Sequence, residues 1–127
     1  MTESAPTGRQ TLTVRIVVED PASLIGFLKR VFAATGEVYT DIPSQIVIGN
    51  SVLMVSKAGP RDVFPAFLYA YVEDADATCA RAIEAGALLL EPAWDTPYGD
   101  RRGMVRDPWG NVWQIASSLS RQGSGRA

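Results

Sequence analysis

The stretch TPYGDRRGMVRDPWGNVWQIAS, residues 96–117, decides the fold of this chain. It predicts two β-strands joined by a turn over Asp-Pro-Trp-Gly-Asn, residues 107–111. Pro108 sets its own φ at about −65°, and Gly110 accepts a positive φ at no steric cost. The backbone preferences of the turn residues therefore specify a hairpin in this part of the chain.

The two halves of the chain repeat one order of elements. Each has a strand followed by an acidic pair and a helix: residues 12–18 precede Glu19-Asp20, and residues 66–72 precede Glu73-Asp74. Asp20 is the expected N-cap of the first helix, because Pro21 suits the first helical position. Three further strands are expected after each helix, near 37–40, 44–49 and 51–57, and near 87–91, 101–106 and 111–117.

Apolar spacing predicts which helical faces are buried. The first helix should bury Leu24, Phe27, Leu28 and Val31 and end before Gly36; the second should bury Ala77, Ala80 and Ile83 and end at Gly86. The sequence therefore predicts an α+β fold of two tandem βαβββ modules, residues 11–61 and 65–117. Together they form a single domain over 11–117, with flexible ends at 1–10 and 118–127.

Composition limits the classes of function. A length of 127 residues suits one domain, and a net charge of −2 argues against a nucleic-acid partner. There is no run of about 18 apolar residues for a membrane span and no apolar signal segment at the start. Cys79 is the single cysteine, so a disulfide framework is excluded. These features favour a cytoplasmic protein.

The chain contains no histidine. It therefore lacks the commonest metal ligand and the commonest general base near neutral pH. A zinc site built from histidine and several cysteines is impossible within one chain. Only a site of oxygen ligands would remain.

The closing hairpin resembles the last hairpin of the vicinal oxygen chelate superfamily, the glyoxalase/bleomycin-resistance proteins. The stretches VEDADATCARAIEAGA (72–87) and EPAWDTPYGDRRGMVRDPWGN (91–111) look most like its PhnB-like branch. The resemblance covers residues 11–117. It implies curved mixed sheets around a cleft and, because dimers are common in the superfamily, a homodimer.

The resemblance also bears on metal binding. Metal-dependent members carry ligands on four strands, and aligning the Val-Glu-Asp boundaries and the final turn places these positions at Thr13, Met54, Phe67 and Gln114. None of the four is His or Glu, and together they do not make a site for a divalent cation. We therefore expect neither a metal nor another cofactor.

Strand alternation, combined with the cleft that the resemblance implies, predicts a ligand-binding set. Arg15 would pair with a carboxylate or enolate or stack on a planar ring, and Gln114 would orient a carbonyl or hydroxyl. Trp94 and Tyr98 are expected on a loop before the final hairpin. The full set is Arg15, Met54, Phe67, Tyr69, Tyr71, Trp94, Tyr98 and Gln114.

Several of these residues have structural interpretations as well. Arg15 would equally form an ion pair with Glu37, Asp41 or Asp95, and Tyr69 and Tyr71 would equally lie in a subunit interface. Other side chains are expected to be structural: Trp113 in the core, Cys79 as an inert buried thiol, Trp109 in packing or a dimer contact, and Arg101 and Arg102 on the hairpin surface.

Three functions fit these features. The first is metal-free binding of a planar or carbonyl-containing organic molecule, as in the bleomycin- and mitomycin-resistance members that sequester a drug. The second is a metal-independent isomerase, cyclase or lyase acting on a small carbonyl compound. Its electrophilic residues would be Arg15 and Gln114, and Tyr69 or Tyr71 would donate the proton. The sequence does not identify the base, for which Glu37, Asp41 and Glu91 are the candidates. The third is an interaction module with a collapsed cleft.

Overall fold

Two helices and seven strands follow one another along the part of the chain that the computed structural model describes, residues 5, 7 and 10–120. The order is β1 (Val14–Val18), α1 (Pro21–Phe32), β2 (Ser44–Ile48), β3 (Ser51–Lys57), β4 (Phe67–Tyr71), α2 (Ala75–Glu84), β5 (Leu88–Asp95), β6 (Asp100–Arg106) and β7 (Val112–Ser118). The predicted α+β class is confirmed. The predicted flexible ends lie largely outside the described residues, and Ser118 belongs to β7.

The first compact unit ends at Phe64. Its sheet has the order β1-β3-β2, with β1 parallel and β2 antiparallel to β3. The predicted cap of α1 is present, because Asp20 Oδ1 accepts the Ser23 N–H at 3.3 Å and Pro21 follows at the start of the helix. The helix buries the four expected residues, Leu24, Phe27, Leu28 and Val31, together with Pro21 and Ile25.

The second compact unit begins at Pro65. Its sheet has the order β4-β7-β6-β5, in which β4 is parallel to β7 and the other neighbours are antiparallel. The predicted hairpin is β6 and β7, and its register pairs Arg106 with Val112 and Asp100 with Ser118. No helix of the described residues is long and apolar enough to cross a membrane.

The turn of this hairpin is organised by a buried carboxylate. Asp107 accepts the backbone N–H groups of Trp109 at 3.0 Å and Asn111 at 2.9 Å, and Trp113 Nε1–H at 3.0 Å. Asn111 Oδ1 in turn accepts the Ala66 N–H at 2.9 Å, which ties the turn to the start of β4. Trp113 is 3% exposed, so its prediction as a core residue is confirmed.

Two local predictions are wrong. The strand expected near 37–40 is not formed, and Val38 and Tyr39 are exposed. Among the described residues, this side of β2 is paired only by an isolated bridge between Thr35 and Val47. The buried face of α2 also differs, because Ala77, Ala80 and Ile83 are exposed while the helix buries Ala75, Thr78, Cys79 and Ala82.

Cys79 packs where β6 has Gly103, whose missing Cβ allows the sulfur to approach closely. Cys79 is buried, as expected.

Candidate functional site

One face of the second sheet carries most of the predicted ligand-binding residues. Alternation along β4 leaves Phe67, Tyr69 and Tyr71 exposed while Leu68 and Ala70 are half-buried. Cross-strand partners share a face of the sheet, so the register extends this surface through β7, β6 and β5. We call it the aromatic face, formed by Phe67, Tyr69, Tyr71, Glu91, Trp94, Asp100, Arg102, Met104 and Gln114. Its opposite side meets α2, as the contact of Arg101 with Asp76 shows.

A buried carboxylate holds two tyrosines on this face. The hydroxyls of Tyr69 and Tyr71 donate to the same Asp100 oxygen, Oδ2, at 2.6 and 2.8 Å. Asp100 is 6% exposed, whereas Tyr69 and Tyr71 are 39% and 65% exposed. The ring centroids are 5.4 Å apart and the planes are tilted by 55°. We call these three residues the Asp100 cluster.

The cluster raises the pKa of both phenols. For Tyr69, burial raises the pKa most, followed by the hydrogen bond to Asp100 and a further hydrogen bond with Tyr98. For Tyr71, the hydrogen bond to Asp100 raises the pKa most and burial adds to it. Each effect disfavours the phenolate. Both tyrosines therefore keep their protons near neutral pH and act as donors to Asp100.

A second polar group lies on β5 and β6. The Arg102 guanidinium forms an ion pair through Nη2 with Glu91 Oε1, and Trp94 Nε1–H donates to the same oxygen at 3.2 Å. The Arg102 side chain is 11% exposed, and its Nε has no hydrogen-bond partner among the described residues. A buried N–H without a partner carries a desolvation cost. This N–H lies below the surface of the face, where a ligand does not reach it in this conformation.

The structure corrects the predicted place of Trp94. Trp94 lies within β5, as the cross-strand partner of Arg102, and not on a loop. The strand is longer than expected because β5 continues past two register irregularities to Asp95. Tyr98 does lie in the turn before β6, is 61% exposed, and contacts the hydroxyl of Tyr69.

Gln114 lies in the middle of the aromatic face. It is half-buried on β7, between its register partners Tyr69 on β4 and Met104 on β6. Its amide carries both donors and an acceptor, so it can orient a carbonyl or an N–H group of a ligand. Phe67 pairs with Val112, at the other end of the same face from Asp100.

Arg15 and Met54 belong to the first unit. They are register partners on β1 and β3, and Arg15 Nε–H donates to Ser56 Oγ at 2.8 Å. Arg15 is exposed and Met54 is half-buried. Arg15 thus has a local polar partner on its own sheet.

The three carboxylates proposed as bases have different surroundings. Glu37 and Asp41 are exposed in the segment after α1, where Val38, Tyr39, Thr40, Asp41 and Ile42 line a concavity of about 410 Å³. Glu91 alone lies on the aromatic face, beside Arg102. Of the three, Glu91 has the surroundings of a ligand-contacting group.

The side chains at the four positions to which the sequence resemblance assigned metal ligands do not suit a divalent cation. Phe67 has no donor atom, Met54 has a thioether, and Thr13 and Gln114 offer a neutral hydroxyl and amide. Hard cations require oxygen ligands and usually a carboxylate among them. Within residues 5, 7 and 10–120 no group of three or more Asp, Glu, Cys or His side chains is placed to hold a metal ion.

Sequence reasoning missed Asp100 and Arg102. The hairpin register pairs residues 102 and 104 with 116 and 114, so parity along β6 places Arg102 on the face of Gln114. The turn sets this register, so alternation from the turn identifies the face on which Arg102 lies. The partners of Asp100 lie 31 and 29 residues away on β4, so no local pattern connects them.

Comparisons with known proteins agree with this fold. A family model, the Glyoxalase/Bleomycin resistance protein/Dioxygenase superfamily, matches residues 10–115. Uncharacterized protein Rv0887c of Mycobacterium tuberculosis is 29% identical over 149 aligned positions, which cover 90% of this chain and 85% of that protein.

Solved structures of the same fold are also similar. TioX from Micromonospora sp. ML1 gives a TM-score of 0.71 at 24% identity and covers 87% of this chain and 99% of its own. A glyoxalase-related enzyme from Fulvimarina pelagi gives 0.72 at 22% identity, with 86% and 88% covered. At these identities the likeness shows the fold alone, and the PhnB-like branch stays a prediction.

Proposed function

The chain belongs to the Glyoxalase/Bleomycin resistance protein/Dioxygenase superfamily, and from that premise we propose that it binds a small planar or carbonyl-containing organic molecule on the aromatic face without a resident metal. Binding without turnover would serve to sequester a drug-like compound such as an antibiotic. The observation that carries the proposal is the Asp100 cluster, which holds two exposed rings beside Gln114.

Exposure of the rings supports a binding role. Phe67, Tyr71 and Trp94 are 69%, 65% and 46% exposed. Exposed apolar groups that gather on one surface indicate a binding site, whereas scattered ones do not. Planar molecules gain both apolar burial and stacking on such rings.

The rings are also preorganised. Because both hydroxyls are held by one buried carboxylate, Tyr69 and Tyr71 have already lost much of their rotamer freedom before a ligand arrives. A rigid site loses less conformational entropy on binding than a mobile one. Ala116 lies between Tyr71 and Arg102 in the register and is fully buried, so neighbouring side chains already cover β7 at this point.

Polar groups between the rings would fix the orientation of the ligand. Gln114 offers an amide at the centre of the face, and Glu91 offers a carboxylate that is 41% exposed. Pockets for organic ligands combine apolar walls with a few such groups. A carbonyl oxygen of the ligand would accept from the Gln114 amide.

We propose that ligand binding does not require a metal, because of the side chains at the four positions to which the resemblance assigned metal ligands. Thr13, Met54, Phe67 and Gln114 supply no carboxylate or imidazole, so ligand affinity should not depend on a divalent cation. Binding of a ligand should be the same, within about twofold, before and after treatment with a chelator. Loss of binding in chelator and its recovery on adding Mg²⁺, Mn²⁺ or Zn²⁺ would contradict this part of the proposal.

The direct test is thermal unfolding of the protein with a panel of planar aromatic and carbonyl-bearing natural products. A binder at about 100 times its dissociation constant adds about 2.7 kcal/mol to the free energy of unfolding, which is visible as a shift in melting temperature. Tyr71→Ala should weaken that binder about tenfold. Tyr39→Ala removes a ring of similar exposure from the first unit and serves as the control. A panel without any binder, or equal losses in the two variants, would contradict the proposal.

One observation favours a second candidate, a metal-independent isomerase, cyclase or lyase. Glu91, one of the three candidate bases, lies on the aromatic face next to the Arg102 cation. A base beside a cation can remove a proton α to a carbonyl while the cation stabilises the enolate. NMR in D₂O would reveal deuterium exchange at the α-carbon of a carbonyl compound from the panel. Exchange that Glu91→Gln abolishes would establish catalysis, and its absence would leave binding as the function.

We also propose that the protein forms a homodimer. The edge strand β5 exposes Leu88, Leu89 and Leu90 at 55%, 43% and 40%. An edge strand with exposed apolar side chains readily associates with another chain. Native mass spectrometry should show a dimer, and a monomer at micromolar concentration would contradict it.

A further inference from the structure

We propose that the Asp100 cluster selects a planar organic cation, such as a cationic heteroaromatic ring or an aromatic ammonium compound. The inference rests on the proposed function and narrows its ligand class. Three features support it. The hydroxyl protons of both tyrosines are donated to Asp100, the carboxylate of Asp100 has no charged partner among the described residues, and the faces of the two rings are accessible.

The hydroxyl protons of the two tyrosines are already used. Both point to Oδ2 of Asp100, at 2.6 and 2.8 Å. A phenol whose proton is donated retains only the lone pairs of its oxygen for a ligand. Tyr98 already contacts the Tyr69 oxygen, so the acceptor left for a ligand is chiefly the Tyr71 oxygen. The cluster therefore favours a ligand that brings an N–H donor or positive charge.

The cluster carries one unbalanced negative charge. Asp100 receives two neutral hydroxyls, and neither brings a cation. The nearest guanidinium in the register, Arg102, is paired with Glu91 on β5. Arg106 lies at the far end of the face, opposite Val112, and is exposed to solvent. A cation on the rings of Tyr69 and Tyr71 would thus meet a carboxylate that has no charged partner among the described residues.

The rings provide the contact surface. They are tilted by 55° with centroids 5.4 Å apart, so they present two faces in different directions. A cation over the face of an aromatic ring is attracted by the ring quadrupole. Donating a proton to a carboxylate places more electron density on the phenol ring, which strengthens this attraction. Burial of the carboxylate behind the rings reduces its screening by solvent.

Three probes of similar shape and different charge test the inference. They are N-methylquinolinium, 4-methylquinoline and 1-naphthoate, which carry charges of plus one, zero and minus one at pH 8. Dissociation constants are measured by NMR titration of the whole protein at low salt. We expect N-methylquinolinium to bind about fivefold tighter than 4-methylquinoline, and 1-naphthoate to bind most weakly.

Matched variants assign the selectivity to one carboxylate. Asp100→Asn keeps the shape and can still accept the hydroxyls, and it should reduce the preference for the cation to within about twofold. Asp76→Asn removes the same charge from α2, on the opposite side of the sheet, and should keep the preference. Melting curves verify that both variants are folded.

Each remaining result overturns the inference. Equal or tighter binding of 4-methylquinoline or 1-naphthoate by the unaltered protein contradicts it, as does a preference that survives in Asp100→Asn. If the natural-product panel yields a binder but none of the three probes binds, the cation inference fails and the proposed function stands. If neither panel nor probes bind, the proposed function fails as well.

Discussion

The hydroxyl of Tyr69 donates a 2.6 Å hydrogen bond to Oδ2 of Asp100, although 31 residues separate the two along the chain. Tyr69 lies on the edge strand β4 and Asp100 opens β6, with β7 between them in the sheet. The bond therefore spans a strand and ties the ring of Tyr69 down over β7. Since Asp100 holds Tyr71 in the same way, one carboxylate orients two rings of the aromatic face.

The first prediction concerns alkaline pH. Tyrosine in an unfolded chain ionises with a pKa of about 10, whereas Asp100 raises the pKa of Tyr71 and contributes to the raised pKa of Tyr69. Above about pH 10 the unfolded chain loses phenol protons that the folded protein keeps, so the free energy of unfolding must fall as pH rises. We expect a shallower fall for Asp100→Asn in urea unfolding between about pH 9.5 and 11. Parallel pH profiles would contradict the role given to Asp100.

The second prediction concerns the closing turn. Asp107 is buried and accepts hydrogen bonds from two backbone N–H groups and the Trp113 indole. Asp107→Ala should lower the free energy of unfolding by about 3 kcal/mol or more, because each donor would lose a charged acceptor. The control Asp95→Ala removes an exposed carboxylate paired with Arg101 and should cost less than about 1 kcal/mol. Equal losses in urea unfolding would show that the turn does not depend on Asp107.

The third prediction concerns the contact between α2 and β6. A Cβ added at Gly103 would lie 2.7 Å from Cys79 Sγ. Gly103→Ala should therefore cost about 1 to 3 kcal/mol by overpacking. Adding Cys79→Ala should recover at least about 1 kcal/mol of that loss in a double-mutant cycle. Additive effects of the two substitutions would mean that they do not meet.

The fourth prediction concerns the end of α1. Ala33 has φ 56° and ψ 36°, the left-handed conformation that favours glycine. Ala33→Gly should raise the free energy of unfolding by about 0.5 kcal/mol, since glycine adopts this conformation without strain. Ala22→Gly, in the right-handed first turn of the same helix, should instead lower it by about 0.5 kcal/mol. Destabilisation by both substitutions would contradict the strain assigned to Ala33.

Strand predictions succeeded where turn chemistry and alternation agreed. The Asp-Pro-Trp-Gly-Asn turn sets the pairing of β6 with β7, and alternation then separates buried Trp113 and Ile115 from half-buried Gln114. The same alternation separated Tyr69 and Tyr71 from the inner face of β4. A period of two is unambiguous once a turn has set the register.

The second helix shows why other predictions failed. Its residues are mostly alanine and short polar side chains, so several helical faces have similar hydrophobicity and spacing cannot choose among them. Packing against the sheet determines which face of α2 is buried, because Gly103 on β6 allows Cys79 to approach. Likewise, the β-branched and aromatic residues near 37–40 favour a strand by propensity. No strand of the described residues pairs with them, so a strand does not form there.

The central polar residue of the site was the least predictable. Asp100 stands in a charged run, Asp-Arg-Arg, that is typical of an exposed hairpin. Its burial depends on two tyrosines from β4, which reach it only because β4 pairs with β7 in parallel. A non-local strand order of this kind cannot be obtained from periodicity, which describes single elements.

The central claim is that the aromatic face binds the ligand, and NMR chemical-shift mapping tests it most directly. A binder from the natural-product panel is titrated into the isotope-labelled protein, and shifted backbone amides are assigned. We predict the largest changes on β4 and β7, around Tyr69, Tyr71 and Gln114, with smaller ones at Trp94 and Arg102. Largest changes at the concavity of residues 38–42, with β4 and β7 unaffected, would contradict it.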